Sequence, residues 1–172
     1  MILVYLYLIS FSLIGYGMIV SRVLSINISC FGIYGILGIT FLGIISYVSS
    51  IFISHNIIFN SIILLIGLSI FLYNLILKNN FKREFFLLCA TCFFAIFFIL
   101  IAKNHDDFPY YHFPYSHFLT QLEHPIGFGK LNPGFRNPSS VFFLSSLFYL
   151  PYIDHYLLNL YPVYFLGFSN II

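Results

Sequence analysis

Charged residues are scarce in this sequence. Seven lysines and arginines and five aspartates and glutamates occur among 172 residues, so 7% of the chain is charged while 60% is hydrophobic. The mean hydropathy of +0.98 lies far outside the range of soluble domains. The net charge of +2 is small and no run of lysine or arginine follows a groove-binding pattern, which argues against nucleic acid as a partner. The composition indicates a multi-pass protein of the lipid bilayer.

Other absences narrow the function further. Cys89 and Cys92 form a C-x-x-C pair, but no second pair of ligands lies near them in the sequence, so no zinc or redox site is expected there. The N-terminus has neither a basic segment nor a small-residue cleavage site, which predicts a retained helix and not a signal peptide. The first four apolar runs have no charged residue in their interiors, whereas the pathways of transporters and channels usually contain some. A transporter or channel is therefore a less favoured function.

Long apolar runs predict an all-α fold, a transmembrane bundle of about five spans. The runs are each about long enough to cross a bilayer core, and they cover residues 2–20, 26–54, 57–77 and 85–102. A fifth span over 141–170 is predicted to be kinked or split, because Pro151 and Pro162 interrupt it. We expect residues 1–172 to form a single transmembrane domain. Because the end of the sequence is apolar and no polar tail follows, we expect this domain to be part of a longer protein.

Glycines in the second run predict close helix packing. Four of them, spaced so that several share a helix face, are Gly32, Gly35, Gly38 and Gly43. Missing side chains let another helix approach closely.

Basic residues in the short loops predict the topology, since lysine and arginine favour the cytoplasmic side. Arg22 lies between the first two spans, and Lys78, Lys82 and Arg83 lie between the third and fourth. Both loops are therefore predicted to be cytoplasmic. Alternation then places the long polar loop 104–140 on the outer face.

The loop 104–140 is unusually long and rich in aromatic residues. A short helix lying along the membrane is predicted within it, beginning at about His112 or Tyr115 and ending near Glu123. Asp106 and Asp107 stand at its start. They are either carboxylates that end a helix and face water, or they include a general base, which must be held near an acceptor hydroxyl.

Two other features of the loop have open interpretations. Histidines at four positions could suggest a metal, but their spacing of five or seven does not pair ligands on one helix face, and no metal site is predicted; they are His105, His112, His117 and His124. The glycine-rich segment with Lys130, Asn132 and Arg136 suits a phosphate, although a plain surface turn fits equally well. Ser139 and Ser140 are predicted to cap the next helix.

These motifs together resemble those of a known family. Asp106 and Asp107, then Tyr110-Tyr111-His112, then Gly127-x-Gly129-x-Leu131, then Ser139-Ser140 resemble the first large outer loop of bacterial multi-pass glycosyltransferases of the GT-C superfamily. The branch that this chain resembles has a D-x-x-x-Y-H pattern. The resemblance covers about residues 103 to 150, and the preceding spans agree only in being apolar.

The resemblance implies an enzyme of the bacterial cytoplasmic membrane. It would move a sugar from a polyprenyl-phosphate donor to an acceptor hydroxyl on the outer face, in cell-surface polysaccharide assembly and without a cofactor. Asp107 is in register with Tyr111 four residues later and is preferred to Asp106 as the catalytic base. His112 would position the acceptor with Tyr111, while Lys130 and Arg136 would stabilise the departing phosphate.

A different class of function stays open. The chain could be a non-catalytic membrane subunit whose aromatic outer loop binds a partner or lipid. Phe113, Tyr115 and Phe118 would then carry the interaction.

Overall fold

A computed structural model describes residues 1–77, 82–101, 106–124, 126–150, 152 and 160–172, except for the side chains of residues 98, 100 and 101. All regular elements in these ranges are helical. Several residues that entered the sequence argument lie outside the described ranges, namely Lys78, Lys103, His105, Pro151, Asp154 and His155.

Four long helices begin the chain, and they are α1 (Ile2–Val23), α2 (Phe31–Ser50), α3 (Ile57–Leu77) and α4 (Lys82–Ile101). The first three are long and apolar enough to cross a membrane. The start and end of α2 differ from the predicted run 26–54. Ser25 adopts a left-handed backbone with φ 55, and this turn precedes the helix. The predicted fourth run forms a helix, and its passage through a membrane stays a prediction.

Shorter elements follow. A π-helical turn (Phe108–His112) leads into α5 (Phe113–Gln121), and two 3-10 turns (Phe128–Lys130 and Pro133–Phe135) precede α6 (Ser140–Leu147) and α7 (Tyr161–Ser169). The predicted short helix of the loop therefore exists as α5. The predicted fifth span contains α6 and α7, of eight and nine residues, and its crossing of the membrane stays a prediction.

The chain divides into two compact units. Unit 1 comprises residues 1–42, 62–101 and 162–172, and unit 2 comprises 43–61 and 102–161.

In unit 1, α1 packs against other helices through glycine contacts. A Cβ on Gly38 would stand 1.8 Å from the carbonyl oxygen of Leu13, and a Cβ on Gly15 would stand 2.0 Å from that of Gly67. The backbones therefore touch where no side chain intervenes. The predicted packing role is confirmed for Gly32, Gly35 and Gly38, where a Cβ would stand 2.5 Å or less from an atom of another helix, whereas Gly43 faces open space.

Unit 2 has its own aromatic core. Helices α5 and α6 pack together, and the buried residues between them and the second 3-10 turn are Tyr115, Leu119, Phe135, Phe142 and Phe143. Ser139 accepts a hydrogen bond from the Val141 amide at 3.3 Å, which confirms it as the cap of α6. Burial of each such aromatic side chain stabilises the fold by about 1.5 to 3 kcal/mol. This core positions the candidate site.

Candidate functional site

Asp107 begins the π-helical turn. Its carbonyl oxygen accepts hydrogen bonds from the amides of Tyr110 and Tyr111 at 3.1 and 3.2 Å. Pro109 has no amide hydrogen and fits the first turn of a helix, where that donor would have no partner within the helix. The turn brings the Tyr111 hydroxyl back to the Asp107 carboxylate, to which it donates at 3.1 Å.

Tyr111 is held in place by a glycine. A Cβ on Gly134 would stand 2.7 Å from Cγ and 2.9 Å from Cβ of Tyr111, so the ring lies directly on the glycine backbone. The ring also meets Phe142 edge to face, with 6.3 Å between the ring centres. Gly134 lies in the glycine-rich segment, and it is a contact surface for the residue that binds Asp107.

Asn132 joins the two halves of this arrangement. Its amide oxygen accepts from the Gly134 amide at 2.8 Å, and its amide nitrogen donates to the Tyr110 carbonyl at 3.1 Å. Both groups of this predicted substrate-binding side chain thus help to hold the loop. The segment of Asp107 and the glycine-rich segment, 20 to 30 residues apart in the chain, are thereby brought together.

The two aspartates differ in their surroundings. Asp106 is exposed, whereas Asp107 is half-buried and accepts a hydrogen bond from Tyr111. His112 is the next residue after Tyr111. The centre of its ring lies 4.4 Å from the centre of the Tyr111 ring and 5.0 Å from that of Phe142. The structure therefore places three predicted site residues side by side, and it favours Asp107 over Asp106 as a positioned carboxylate.

The phenol of Tyr111 stays protonated at neutral pH. Partial burial and the hydrogen bond to Asp107 raise the pKa of Tyr111 above its usual value. Because the hydroxyl keeps its proton, it acts as a donor that stabilises and orients the carboxylate.

A second part of the site is an open hollow of about 490 Å³ in unit 2. Lys130 and Arg136 supply its charge, and the remaining described residues that line it are Tyr115, His124, Ile126, Gly127, Phe128, Gly129, Phe135 and Pro138. No acidic side chain is among them. Cations beside aromatic and aliphatic side chains suit an anion attached to an apolar chain.

Hydrogen bonds hold the backbone of Lys130 and the side chain of Arg136 in this hollow. Gly127 has φ 89, a left-handed conformation that favours glycine, and the Lys130 amide donates to its carbonyl oxygen at 3.0 Å. Arg136 donates from Nε to the Gly129 carbonyl oxygen at 3.3 Å. A Cβ on Gly129 would stand 2.9 Å from Cγ of Arg136, so the arginine stem lies over the glycine.

The histidines in the described part of the loop pack against aromatic rings. His117 stacks on Phe113 at 5.6 Å and His124 stacks on Phe143 at 5.5 Å. In the part of the chain that the structure describes, no group of three or more His, Cys, Asp or Glu side chains is arranged to hold a metal ion.

Sequence reasoning missed a buried polar cluster around His55. His55 is 0% exposed, and its Nδ1 and Nε2 lie 2.5 Å from Ser146 Oγ and 2.9 Å from Ser49 Oγ. Asn60 donates to the carbonyl oxygens of His55, Ser146 and Tyr149 at 2.8, 2.9 and 3.0 Å. An asparagine inside an apolar run, five residues after a lone histidine, is the signal that could have revealed this cluster.

The cluster ties the turn between α2 and α3 to α6. The His55 amide also donates to the Leu119 carbonyl at 2.8 Å, at the end of α5. These bonds hold α5 and α6 in place, and these two helices support Asp107, Tyr111 and the cationic hollow.

Comparisons with family models, with curated proteins and with solved structures find no match for this chain.

Proposed function

We propose that this chain is the N-terminal part of a membrane glycosyltransferase of the GT-C type, with Asp107 as its general base. The observation that carries the proposal is the carboxylate of Asp107, half-buried and oriented by the Tyr111 hydroxyl at 3.1 Å. A general base needs such a fixed and partly shielded position. The cationic hollow in the same unit supplies a site for the phosphate of the donor. The apolar helices suit a protein whose donor is dissolved in the bilayer.

The donor in this proposal is a sugar joined to a polyprenyl phosphate. The two cations of the hollow, Lys130 and Arg136, bind the phosphate, and the neighbouring aromatic side chains contact the first isoprene units. Such a donor is dissolved in the bilayer, which agrees with three helices long and apolar enough to cross it.

The proposed transfer is a single displacement at the anomeric carbon. The oxygen of an acceptor hydroxyl bonds to that carbon while the bond from the carbon to the phosphate oxygen breaks. Its electron pair leaves with the polyprenyl phosphate, whose charge Arg136 and Lys130 stabilise. The hydroxyl proton passes to Asp107, and His112 positions the acceptor.

The membrane arrangement belongs to the same proposal. Five spans and an outer location of loop 104–140 are inferred from apolar runs and basic residues, and a bacterial cytoplasmic membrane is what the family resemblance implies. Polysaccharide assembly on the outer face fits that arrangement, because polyprenyl-phosphate sugars are used there by the enzymes that the loop resembles.

The test uses membranes that contain the complete protein. A panel of radiolabelled polyprenyl-phosphate sugars is supplied with acceptor glycan, and labelled product is measured for the wild type and for Asp107→Asn. The variant should insert normally, because asparagine still accepts the Tyr111 hydrogen bond, but it should lose transfer. Wild-type product levels from the variant would refute the assignment.

One observation favours the non-catalytic alternative, in which the loop binds a partner or lipid. Large apolar side chains project from it, since Tyr110 is 70%, Ile126 90% and Leu131 77% exposed. Tyr115, previously a candidate for this contact, is buried in the core of unit 2. Under this alternative, serine at Ile126 and Leu131 would disturb assembly while Asp107→Asn would have no effect.

A further inference from the structure

A second hollow lies in unit 1, at the end of α1 that carries Arg22. It has a volume of about 180 Å³ and its described lining residues are Met18, Ser21, Arg22, Ile26, Asn27, Tyr34 and Asn74. The proposed transfer reaction uses none of them. The lining is mostly polar, although it stands at the ends of two strongly apolar helices, α1 and α3.

Arg22 is held in this hollow by a buried amide. Its Nη2 donates to Oδ1 of Asn74 at 3.0 Å, and Asn74 is only 6% exposed. The amide nitrogen of Asn74 donates to the Ile70 carbonyl of its own helix at 2.8 Å, which fixes the orientation of the amide. A guanidinium has five N–H donors in a rigid fork. One of them is used on Asn74, and the fork is thereby preorganised.

The connection between α1 and α2, which lines part of the hollow, is also fixed. Ser21 donates to the Ile26 carbonyl and Tyr34 donates to the Ile28 carbonyl, both at 2.6 Å. These bonds tie the connection between α1 and α2 to both helices and keep Asn27 at the hollow. The site is therefore built before any ligand arrives, which reduces the entropy lost on binding.

Size and charge limit the ligand. A volume of about 180 Å³ is smaller than the 300 Å³ or more of typical small-molecule sites. It suits a phosphate group and is too small for a nucleotide. No acidic side chain is among the described lining residues, and Arg22 matches the geometry of a phosphate.

The surroundings favour a lipid as the source of the phosphate. Large apolar side chains next to the hollow are exposed on both helices and on the connection, namely Val23, Leu24, Ile26, Tyr73, Ile76 and Leu77. Acyl chains can lie against such a rim while the headgroup enters the polar hollow. A soluble phosphate would gain nothing from it.

We propose that the hollow around Arg22, Asn27 and Asn74 binds the phosphate group of an anionic phospholipid. The loop that carries Arg22 is predicted to be cytoplasmic, so the lipid comes from the inner leaflet. The bound lipid fills the polar hollow between α1, α2 and α3 and stabilises their ends.

Native mass spectrometry of the complete protein in mild detergent tests this site. Phosphatidylglycerol, phosphatidylcholine and inorganic phosphate are titrated separately into wild-type protein, Arg22→Gln and Arg83→Gln. Arg83 is an exposed arginine outside the lining of the hollow, so it is a matched control. We expect the wild type to retain phosphatidylglycerol, Arg22→Gln to retain it about tenfold less, and Arg83→Gln to equal the wild type.

A second variant guards against misfolding. Asn27→Leu leaves the charge unchanged and occupies part of the hollow from an exposed position, so it should also lower retention. Circular dichroism checks that each variant is helical, and if Arg22→Gln does not fold, Asn27→Leu decides. Equal losses in Arg22→Gln and Arg83→Gln would overturn the proposal, as would wild-type retention by Asn27→Leu. Binding of inorganic phosphate without phosphatidylglycerol would identify a soluble ligand and would also overturn it.

Discussion

Removal of the ionisable group at His55 should abolish most of the acid sensitivity of unit 2. His55 is fully buried and stacks on Phe59 at 5.5 Å. Ser146 donates its hydroxyl proton to the Phe143 carbonyl at 2.6 Å, so its oxygen accepts from Nδ1–H of His55. The Ser49 hydroxyl has two acceptors within reach, Nε2 at 2.9 Å and the Ser46 carbonyl oxygen at 3.3 Å, and with a neutral imidazole it donates to the nearer Nε2. The hydrogen bonds are thus satisfied by a neutral imidazole.

The pKa gives the size and sign of the effect. Burial lowers the pKa of His55 from 6.5 to about 4. Between these values the unfolded chain binds a proton that the folded chain rejects, so protonation favours unfolding. The free energy of unfolding therefore has its full value above about pH 6.5, and it falls as the pH drops to about 4. The total loss is roughly 3 kcal/mol, at 1.36 kcal/mol for each pKa unit.

Thermal unfolding in detergent, followed by circular dichroism between pH 7.5 and 4.5, measures this loss. The variant His55→Gln keeps hydrogen-bonding groups but cannot be protonated in this range. His124→Gln is the matched control, since His124 lies in the same unit and is not fully buried. We expect the wild type and His124→Gln to lose stability on acidification, and His55→Gln to have a nearly flat profile from a lower starting value.

An equal pH slope in His55→Gln and in the wild type would refute the reasoning. It would mean that other groups titrate on unfolding, and that the buried neutral imidazole does not control the acid response.

Two further substitutions test the packing that supports the helices and the site. Gly38→Ala should lower the unfolding temperature in detergent, because its Cβ would overlap the Leu13 carbonyl at 1.8 Å, and overpacking costs about 1 to 3 kcal/mol. Gly43 in the same helix faces open space, so Gly43→Ala should be neutral or slightly stabilising. A similar loss of stability in both variants would refute the contact. Gly134→Ala should displace Tyr111, because the new Cβ would stand 2.7 Å from Cγ of that ring. The variant should therefore lower sugar transfer more than Gly43→Ala does. Unchanged transfer would show that the position of Tyr111 is not needed.

The long helices could be predicted from the sequence because apolar runs of bilayer length leave few alternatives. The first and third runs began within a residue or so of α1 and α3. The boundaries of α2 could not be predicted, since hydropathy does not detect the left-handed turn at Ser25. Ser139 was identified as a cap because its position before an apolar run has a local signature.

The candidate site was only partly predictable. The spacing of Asp107 and Tyr111 is compatible with a turn that joins them, and the structure has that hydrogen bond. By contrast, the contacts of Gly134 with Tyr111 and of His55 with Ser146 join segments that are far apart in the chain. No local pattern encodes such contacts, so the sequence alone could not distinguish a packed glycine or histidine from a flexible one.

The most direct test of the account compares initial rates of sugar transfer for Asp107→Asn and Asp106→Asn at saturating donor. Both substitutions remove one carboxylate from adjacent positions, but only Asp107 is oriented by Tyr111. We predict a loss of about a hundredfold or more for Asp107→Asn, as for a missing general base, and nearly wild-type rates for Asp106→Asn. Equal rates for the two variants, or a larger loss at Asp106, would contradict the account.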